Sequence, residues 1–246
     1  MDASLSEKDT LFAHSEAVGA FQFDRSVAAV FPDMIRRSVP GYQTMLTGSG
    51  ELAARYHQPG SRLYDLGCSL GAVALTLRRH LPEDCGCEII AVDNSAAMLE
   101  RAREYVDAYR SPIPITLRCE DVRETPIEGA SVVVMNFTLQ FVPPEDRLPL
   151  LARIHAGLRP GGVLILSEKI HFDDPVAQEA VEHLHLQFKR ANGYSELEIS
   201  QKRAALENVL VTDTLQTHLD RLAQAGFRHA TPWFQAYNFI SLVAFR

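Results

Sequence analysis

Short apolar runs alternate with longer amphipathic stretches through the middle of the chain. The apolar runs predict five strands, at 61–67, 87–93, 113–119, the first part of 131–142, and 160–168. The amphipathic stretches between them predict helices at 72–80, 96–109 and 147–158. Such alternation is typical of an α/β fold, in which a parallel sheet is covered by helices on both faces.

The alternation stops after residue 168, where a different organisation begins. Residues 173–212 predict a helical insertion of two helices, and 213–226 predict a third helix. The apolar runs at 227–234 and 236–246 are too close for a crossover connection, so we expect them to form an antiparallel strand pair at the end of the sheet.

The first part of the chain is less regular. Residues 1–20 are polar and predicted to be a flexible N-terminus, and residues 42–56 predict a helix. We therefore expect one domain over 21–246, with the helical insertion placed before its terminal strand pair.

A helix is predicted to begin near residue 196. Asn192-Gly193 marks the end of the helix before it. Ser195 and Glu198 match a capping box, in which two side chains satisfy backbone N–H groups at a helix start.

This helix places a cation on its own apolar side. Three apolar residues are predicted to share one face: Ile199, Leu206 and Leu210. Arg203 falls within the same sector, whereas Lys202 points elsewhere. From this helix alone, we interpret Arg203 as a side chain whose stem covers apolar surface while its guanidinium reaches water.

Composition narrows the class of protein. The 246 residues are 46% hydrophobic and 22% charged, which is typical of a globular protein with a full core. The formal net charge of −7 argues against a surface that binds nucleic acid through phosphates, although a local basic patch stays open. We find no secretory signal pattern and no apolar run of membrane-spanning length, so we expect a cytoplasmic protein.

The cysteines and histidines do not predict a metal site. Cys85 and Cys87 are too close for the usual zinc spacing, so all four cysteines are expected to be free thiols. His183 and His185 lie two residues apart on a predicted helix and therefore do not share a face as metal ligands would.

The loop between the first strand and its helix, DLGCSLG, has the composition of a ligand-binding turn. Gly67 and Gly71 allow the backbone to approach a ligand, and the helix start offers free N–H groups. The loop is not the G-x-G-x-x-G fingerprint, and Asp65 suits an ammonium group better than a pyrophosphate. By itself the loop also fits a tight turn without a ligand.

Polar side chains follow the next three strands. Asp93 is placed to accept hydrogen bonds from two ribose hydroxyls, although it or Ser95 could instead cap the next helix. In Glu120-Asp121-Val122, an acid could accept a hydrogen bond from an adenine amino group and a backbone N–H could pair with a ring nitrogen, or the stretch could be a solvated loop. Asn136 ends an apolar strand and needs polar partners, which a ligand or neighbouring backbone could provide. The Asp65-to-Asp93 spacing fits one strand-helix-strand unit, which strengthens the ligand-binding interpretation.

Several stretches together resemble a known superfamily. YDLGCSLG, AVDNS, EDV, MNFTLQF and LRPGGVLILSE resemble the class I S-adenosylmethionine-dependent methyltransferases, over about 60–170 and the terminal strand pair. The resemblance implies a three-layer, Rossmann-like, seven-stranded sheet that is mostly parallel. It also implies that the last strand lies reversed between the fifth and the sixth.

A more specific resemblance covers nearly the whole chain. FDRSVAAVFPDMIRRSVPGY, DLGCSLGA, NFTLQFVPPEDR, FKRANGYSELEISQKR and WFQAYNF resemble the carboxy-S-adenosyl-L-methionine synthase family. This implies conversion of S-adenosyl-L-methionine and prephenate to carboxy-S-adenosyl-L-methionine and phenylpyruvate. The product would supply a partner enzyme that modifies wobble uridine to 5-oxyacetyl uridine in tRNA. No metal, membrane or direct nucleic-acid contact is implied.

The same resemblance implies a set of ligand contacts. The residues that would contact the cofactor are Tyr42, Gly67, Cys68, Ser69, Asp93, Asn94, Asp121, Val122, Asn136 and Arg203. Arg203 resembles an arginine supplied by the other subunit of a homodimer, and we expect it to be the catalytic cation that receives the new carboxylate.

Two other functions stay open at this stage. One is an ordinary methyltransferase that acts on a small molecule or a tRNA base, and the other is a non-catalytic cofactor-binding partner of a tRNA-modifying enzyme. The residues that would hold prephenate are not ranked by the sequence, and the candidates are Arg25, Arg36, Lys169, Tyr194, Lys202 and Trp233.

Overall fold

A computed structural model describes residues 7–13, 21–206 and 209–246. The helices are α1 (Arg25–Ser38), α2 (Tyr42–Tyr56), α3 (Ala72–His80), α4 (Ala96–Asp107), α5 (Pro144–Gly157), α6 (Pro175–Ala191), α7 (Glu196–Leu206) and α8 (Leu215–Gln224). The strands are β1 (Arg62–Leu66), β2 (Glu88–Asp93), β3 (Ile115–Cys119), β4 (Ala130–Asn136), β5 (Leu158–Lys169), β6 (His229–Ala236) and β7 (Phe239–Phe245). A short 3₁₀ helix covers Leu139–Phe141.

All seven strands form one sheet in the order β3-β2-β1-β4-β5-β7-β6. The neighbours among β1 to β5 pair in parallel, whereas β7 is antiparallel to both β5 and β6. The predicted α/β fold is therefore confirmed, including the mostly parallel seven-stranded sheet, the terminal antiparallel pair and the reversed position of the last strand.

The central strands are apolar along their length because helices cover both of their faces. In β4, the four residues Val132, Val133, Val134 and Met135 are each 0% exposed. Val133 and Met135 belong to the core that contains α5 and α8, and Val132 and Val134 belong to the core that contains α2 and α3. Burial of each such side chain contributes roughly 1.5–3 kcal/mol, so the sheet is a rigid base for the loops at its ends.

Helix α1 is absent from the elements that the sequence pattern predicts. Asp24 caps it by accepting the Val27 N–H at 3.0 Å. Pro32 lies inside the helix, and an internal proline normally argues against a helix because it removes one backbone donor. The Asp24 cap was the available sequence signal.

The segment before α1 is described only in part. Asp9 is 1% exposed, and its backbone N–H donates to Oδ2 of Asp33 in α1 at 2.9 Å. The predicted flexible N-terminus over 1–20 falls largely on 1–6 and 14–20, which lie outside the described residues, so that flexibility stays a prediction.

Helix α7 begins with the predicted capping box. The Ser195 N–H donates to Oε2 of Glu198 at 2.7 Å, and the Glu198 N–H donates to Oγ of Ser195 at 3.3 Å. The break before it is also present, since Asn192 is the C-cap of α6 and Gly193 has a φ of 84°.

The predicted orientation of α7 is wrong. The Arg203 side chain is 70% exposed and the Lys202 side chain is 7% exposed, so Lys202 lies on the inward face. The helix ends at Leu206, so Leu210 does not extend an apolar stripe along it. Polar contacts orient this helix instead, because the Lys202 ammonium donates to Ser38 Oγ at 3.0 Å.

Candidate active site

One large cavity opens at the carboxyl ends of the parallel strands, where open α/β sheets bind ligands. Its volume of about 1040 Å³ lies at the upper end of the usual range for small-molecule pockets, roughly 300–1,000 Å³. All the predicted cofactor contacts except Arg203 line it: Tyr42, Gly67, Cys68, Ser69, Asp93, Asn94, Asp121, Val122 and Asn136. The fold thus brings together five separate parts of the chain, while the ligand contacts themselves stay a prediction.

The loop after β1 turns its backbone toward the cavity. Gly67 and Gly71 have φ angles of 83° and 78°, in the left-handed region that favours glycine. A Cβ on Gly67 would overlap the side chain of Thr138, whose hydroxyl donates to the Leu66 carbonyl at 2.8 Å. Glycine at position 67 is therefore required by the backbone angle and by the neighbouring side chain.

Asp93 links two loops at the end of β2. Its Oδ2 accepts the Ser69 N–H at 2.9 Å, and its Oδ1 accepts the Ser95 N–H at 2.9 Å. Burial raises the pKa of Asp93, and both hydrogen bonds act in the opposite direction. The cap of α4 is Ser95, whose hydroxyl accepts the Met98 N–H at 3.2 Å. Asp93 is not the helix cap, and its remaining lone pairs can accept ligand hydroxyls.

Among the residues that the structure describes, two buried side-chain oxygens near the first loop have no hydrogen-bond partner. Oδ1 of Asn136 is one, and since Asn136 lines the cavity, a ligand donor would satisfy it. Oδ1 of Asp65 is the other, but Asp65 is not among the cavity-lining residues. Its Oδ2 accepts the Ala74 N–H at 2.9 Å, and burial raises its pKa to about 7. Asp65 therefore anchors the start of α3 behind the loop.

Asp121 lies on the cavity wall with its carboxylate already paired. Nη2 of Arg123 donates to Oδ2 of Asp121 at 2.7 Å, and this contact lowers the pKa of the carboxyl. Arg123 also reaches Asp146 at 2.8 Å, so the pair is held from a second side. Asp121 can contact a ligand only through the lone pairs that Arg123 leaves.

Tyr42 and Cys68 add neutral groups to the wall. Burial raises the pKa of the Tyr42 hydroxyl and that of the Cys68 thiol, and the nearby Asp65 acts in the same direction on both. Both groups stay protonated at neutral pH, so neither is suited to act as a nucleophile or a base.

The cavity is cationic toward β5. Lys169 at the end of β5, Lys189 on α6 and Lys202 on α7 all line it. Burial lowers the pKa of each ammonium, to about 8 for Lys189 and about 7 for Lys202. This end is three strand positions from Asp93 on β2, which corresponds to about 14 Å.

His185 borders the same end of the cavity as a neutral group. Its Nε2 lies 2.9 Å from the Ser38 carbonyl oxygen, and its ring packs edge-on against Phe239. Burial lowers its pKa to about 3, so the imidazole is uncharged at neutral pH. The sequence interpretation singled out neither Lys189 nor a ligand-facing His185. Their four-residue spacing on one helix face was the available signal.

Arg203 does not line the cavity of its own chain. Its Nη1 lies 3.0 Å from Oε1 of Glu182 on α6. Its charge contributes to the lowered pKa values of Lys169 and Lys189, so the guanidinium lies beside the cationic end but points to the surface.

The candidate residues for binding an acid substrate fall into two groups, those that line the cavity and those that do not. Lys169 and Lys202 line the cavity. Arg36 lines it too, but Asp33 already binds its guanidinium at 2.6 Å. The remaining candidates are outside the cavity wall: Arg25, Tyr194 and Trp233.

Metal ligands are not grouped in the part of the chain that the structure describes: no cluster of three or more His, Cys, Asp or Glu residues could hold an ion. The four cysteines are free thiols, as predicted. His183 is exposed and His185 is buried, which confirms that the two do not share a face. Within the described segments, none of the helices combines the length and the apolar character needed to cross a bilayer.

Comparisons with known proteins agree with this geometry. A family model described as a methyltransferase domain matches residues 63–162. The crystal structure of human N-acetylserotonin methyltransferase in complex with SAM is similar in fold, with a TM-score of 0.59 at 17% identity. That match covers 90% of this chain and 55% of the human chain.

Two curated relatives are similar over their whole length. The carboxy-S-adenosyl-L-methionine synthase of Hydrogenovibrio crunogenus is 65% identical, over 97% of this chain and 95% of the relative. The synthase of the same name from Vibrio cholerae serotype O1 is 56% identical, over 100% of both chains. This chain belongs to the carboxy-S-adenosyl-L-methionine synthase family.

Membership of the synthase family makes the chain an enzyme of the transferase class and supports S-adenosyl-L-methionine as its ligand. The cavity fits that ligand on its own chemistry. Asp93 can accept ribose hydroxyls, and the unpaired Asn136 carbonyl can accept an ammonium hydrogen. S-adenosyl-L-methionine would bring a sulfonium whose methyl group is the reacting centre.

Proposed function

We propose that this enzyme converts S-adenosyl-L-methionine and prephenate to carboxy-S-adenosyl-L-methionine and phenylpyruvate. The observation that carries the proposal is the charge distribution of one cavity. Asp93 lines its β2–β3 end together with Asp121, whose carboxylate is paired with Arg123, and three lysines line its β5 end. A sulfonium would be repelled by the lysines, so an anionic co-substrate is needed between them. The names of the relatives support carboxy-S-adenosyl-L-methionine as the product.

The cofactor would lie along the carboxyl ends of β3, β2, β1 and β4. Asp121 and Val122 would contact the adenine, and Asp93 would hold the ribose. Backbone groups of the loop after β1 would meet the methionine portion, together with Tyr42 and Asn136. This order directs the S-methyl group toward β5, which follows β4 in the sheet.

The proposed reaction balances without a protein base. Prephenate loses its ring carboxyl as carbon dioxide and its hydroxyl as hydroxide, and the ring becomes aromatic. The hydroxide removes a proton from the S-methyl group, which the sulfonium acidifies, and forms water and an ylide. The ylide carbon then bonds to carbon dioxide, which becomes the new carboxylate. The protein must position the two reactants and exclude water.

The neutral side chains of the cavity suit this chemistry. Tyr42 and Cys68 keep their protons at neutral pH, and His185 is a weak base because burial lowers its pKa to about 3, so none competes with the hydroxide for the methyl proton. What remains to be supplied is a cation for the product carboxylate. Arg203 has the planar, two-pronged geometry for a carboxylate.

We assign that cation to the second subunit of a homodimer. Arg203 is exposed and outside its own cavity. The same two helices, α6 and α7, expose three large apolar side chains: Val176, Leu184 and Leu197. Exposed apolar side chains on the two helices that also carry an exposed arginine are typical of an interface between subunits. We propose that two copies pair through α6 and α7, so that Arg203 of each copy reaches the cavity of the other.

The decisive experiment is mass spectrometry of the ligand after incubation with S-adenosyl-L-methionine and prephenate labelled with ¹³C in the ring carboxyl. The proposal predicts a cofactor heavier by one labelled carbon dioxide unit, with phenylpyruvate in equal amount. Unchanged S-adenosyl-L-methionine, or S-adenosylhomocysteine with a methylated acceptor, would contradict it. The second outcome would support the methyltransferase alternative.

The biological setting follows from the product. Carboxy-S-adenosyl-L-methionine would pass to an enzyme that transfers its carboxymethyl group to tRNA and forms 5-oxyacetyl uridine at the wobble position. We expect no direct contact of this chain with nucleic acid, in keeping with its net charge of −7. A cytoplasmic location remains a prediction from the sequence.

A further inference from the structure

Lysine is rare in this chain and concentrated in one place. The sequence contains four lysines, at positions 8, 169, 189 and 202. Three of them line the β5 end of the cavity, and Lys8 is exposed. Ammonium groups removed from water are unfavourable unless a negative charge accompanies them. This grouping of lysines therefore favours the binding of an anion.

Lys202 already has its partners. Its Nζ donates to Ser38 Oγ at 3.0 Å and to the Tyr194 hydroxyl at 3.2 Å, and it lies 3.7 Å from Oδ2 of Asp9. This lysine therefore joins α1, α7 and the segment before α1. The charge of Lys202 is compensated inside the protein, so only Lys169 and Lys189 are candidates for binding an anion.

Lys169 and Lys189 have less compensation. Within the described residues, neither Lys169 nor Lys189 forms an ion pair with a carboxylate, and Glu182 acts on both ammonium groups from a longer distance. Glu182 is itself paired with Arg203 at 3.0 Å. Three cations thus share one carboxylate, which leaves an excess of positive charge at the cavity wall.

The position of these two lysines matches a co-substrate next to the cofactor. Ser167 of β5 pairs with Asn136 of β4, and Lys169 follows two residues later on β5. Lys169 therefore lies one strand away from the unpaired Asn136 carbonyl. Lys189 lies one helical turn after His185, and both line the cavity from α6.

We propose that Lys169 and Lys189 form a carboxylate-binding subsite for the group that remains on the acid co-substrate. For prephenate, this group is the side-chain carboxylate that persists in phenylpyruvate. The inference rests on the proposed function, and it deepens that function by giving the two carboxylates separate cations. The lysines hold the retained carboxylate, while Arg203 receives the transferred one.

Binding the retained and the transferred carboxylate at different cations has a physical advantage. A fixed retained carboxylate orients the ring carboxyl toward the S-methyl group and leaves the departing carbon dioxide unbound until it reacts. Two ammonium groups on the cavity wall also select a carboxylate over a neutral group of the same shape, because the lysines would otherwise stay uncompensated.

The test compares Lys169→Met and Lys189→Met with the exposed control Lys8→Met in the full-length enzyme. Each cavity variant should raise the KM for prephenate by roughly 10- to 100-fold, as expected for loss of one charge-assisted contact. The inhibition constant of phenylpyruvate should rise in parallel. The Kd for S-adenosyl-L-methionine, measured by calorimetry, should stay within about twofold of wild type, and Lys8→Met should leave all three constants unchanged.

The second measurement is the pH dependence of the KM for prephenate in the wild-type enzyme and in the conservative variant Lys189→Arg. Because Lys189 has a pKa of about 8, the wild-type KM for prephenate should rise above that pH. The titratable and charged groups around Lys189 are Lys169 on β5, Arg203 and Lys202 on α7, and Glu182 and His185 on α6. Lys189→Arg should keep a low KM and shift its rise to higher pH, since guanidinium remains charged.

The possible results distinguish a failure of the proposed subsite from a failure of the proposed function. If wild-type enzyme forms carboxylated cofactor but both methionine variants keep the wild-type KM and phenylpyruvate inhibition, the subsite is refuted and the function stands. An equal loss of S-adenosyl-L-methionine affinity would also refute a separate subsite. If wild type forms no such product, the function fails, and phenylpyruvate binding to wild type and variants by calorimetry still decides the subsite.

Discussion

The backbone N–H of Ser69 donates a hydrogen bond to Oδ2 of Asp93 over 2.9 Å, which ties the loop after β1 to the end of β2. The carboxylate is thus oriented by the protein itself, and the loop is closed by the group that would also bind ribose. Ligand affinity and loop geometry therefore depend on the same side chain.

Replacing Asp93 should weaken cofactor binding strongly. Asp93→Ala removes the acceptor for Ser69 and the one proposed for ribose, so the Kd for S-adenosyl-L-methionine should rise about 10- to 100-fold or more. Calorimetry measures this directly. Asp107→Ala is the control, because Asp107 is an exposed acid at the end of α4. Equal affinities for the two variants would remove Asp93 from the site.

A pair of glycines tests the loop after β1. Gly67 and Gly60 both have positive φ angles, of 83° and 64°, so alanine at either costs about 1–2 kcal/mol of stability. Only at Gly67 would the new Cβ overlap Thr138, whereas Gly60 has open space. Gly67→Ala should therefore unfold at lower denaturant concentration than Gly60→Ala and should alone weaken S-adenosyl-L-methionine binding, by at least about tenfold. Similar behaviour of the two variants would argue against a steric role of position 67.

The buried contact of Asp9 should stabilise the fold. Asp9 accepts the Tyr194 hydroxyl at 2.5 Å and lies 3.7 Å from the Lys202 ammonium. Asp9→Asn should lower the free energy of unfolding by about 1–3 kcal/mol, because a buried cation loses its carboxylate. Denaturant titration is the measurement, with the exposed Glu7→Gln as control.

A double variant checks the origin of that loss. Asp9→Asn combined with Lys202→Met should be less destabilised than the sum of the single variants, since methionine leaves no buried ammonium. Strict additivity would show that Asp9 and Lys202 act independently.

Arg203 should discriminate between cofactor and product. Arg203→Lys should weaken binding of carboxy-S-adenosyl-L-methionine about tenfold or more while S-adenosyl-L-methionine affinity stays the same, because lysine lacks the two-pronged geometry. Calorimetry with both ligands makes the comparison. Equal product affinity in wild type and variant would exclude a carboxylate contact at this position.

Mixing subunits tests whether that arginine acts in the second copy. Arg203→Ala and Asp93→Ala are each expected to be inactive, but their mixed dimer contains one intact site. Random mixing should restore about one quarter of wild-type activity, since about half of the dimers are mixed and each has one working site. No recovery after demonstrated subunit exchange would place Arg203 in the cavity of its own chain.

Acid should destabilise the protein partly through His218. This side chain is 2% exposed, and burial lowers its pKa to about 4. Neither ring nitrogen has a hydrogen-bond partner in the described segments of the chain. Between pH 6.5 and 4 the unfolded chain binds the proton more readily, so up to about 3 kcal/mol of stability is lost as pH falls through this range.

Two histidine variants measure how much His218 contributes to the loss of stability in acid. His218→Gln should lose less stability than wild type between pH 6.5 and pH 4, measured by denaturant titration at each pH. The exposed control His229→Gln should keep the wild-type slope. If both variants retain that slope, His218 does not contribute to the acid sensitivity.

The amino-acid sequence by itself determined the strands, most helices and the acidic end of the cavity. Short continuous apolar runs, glycines after β1 and polar residues at strand ends are local signals, and the carboxyl ends of parallel strands necessarily meet at one edge. The Ser195–Glu198 cap is equally local, and its hydrogen bonds span three residues.

The tertiary structure alone decided the inward face of α7, the burial of Asp9 and the cationic end of the cavity. The hydrogen bond from Tyr194 to Asp9 joins residues 185 positions apart, and that from Lys202 to Ser38 joins residues 164 apart. These contacts turn Lys202 inward and Arg203 outward, against the apolar pattern of the helix. Lys169 and Lys189 likewise line one cavity only because the tertiary fold brings α6 to the same end of it as the end of β5, which no local period encodes.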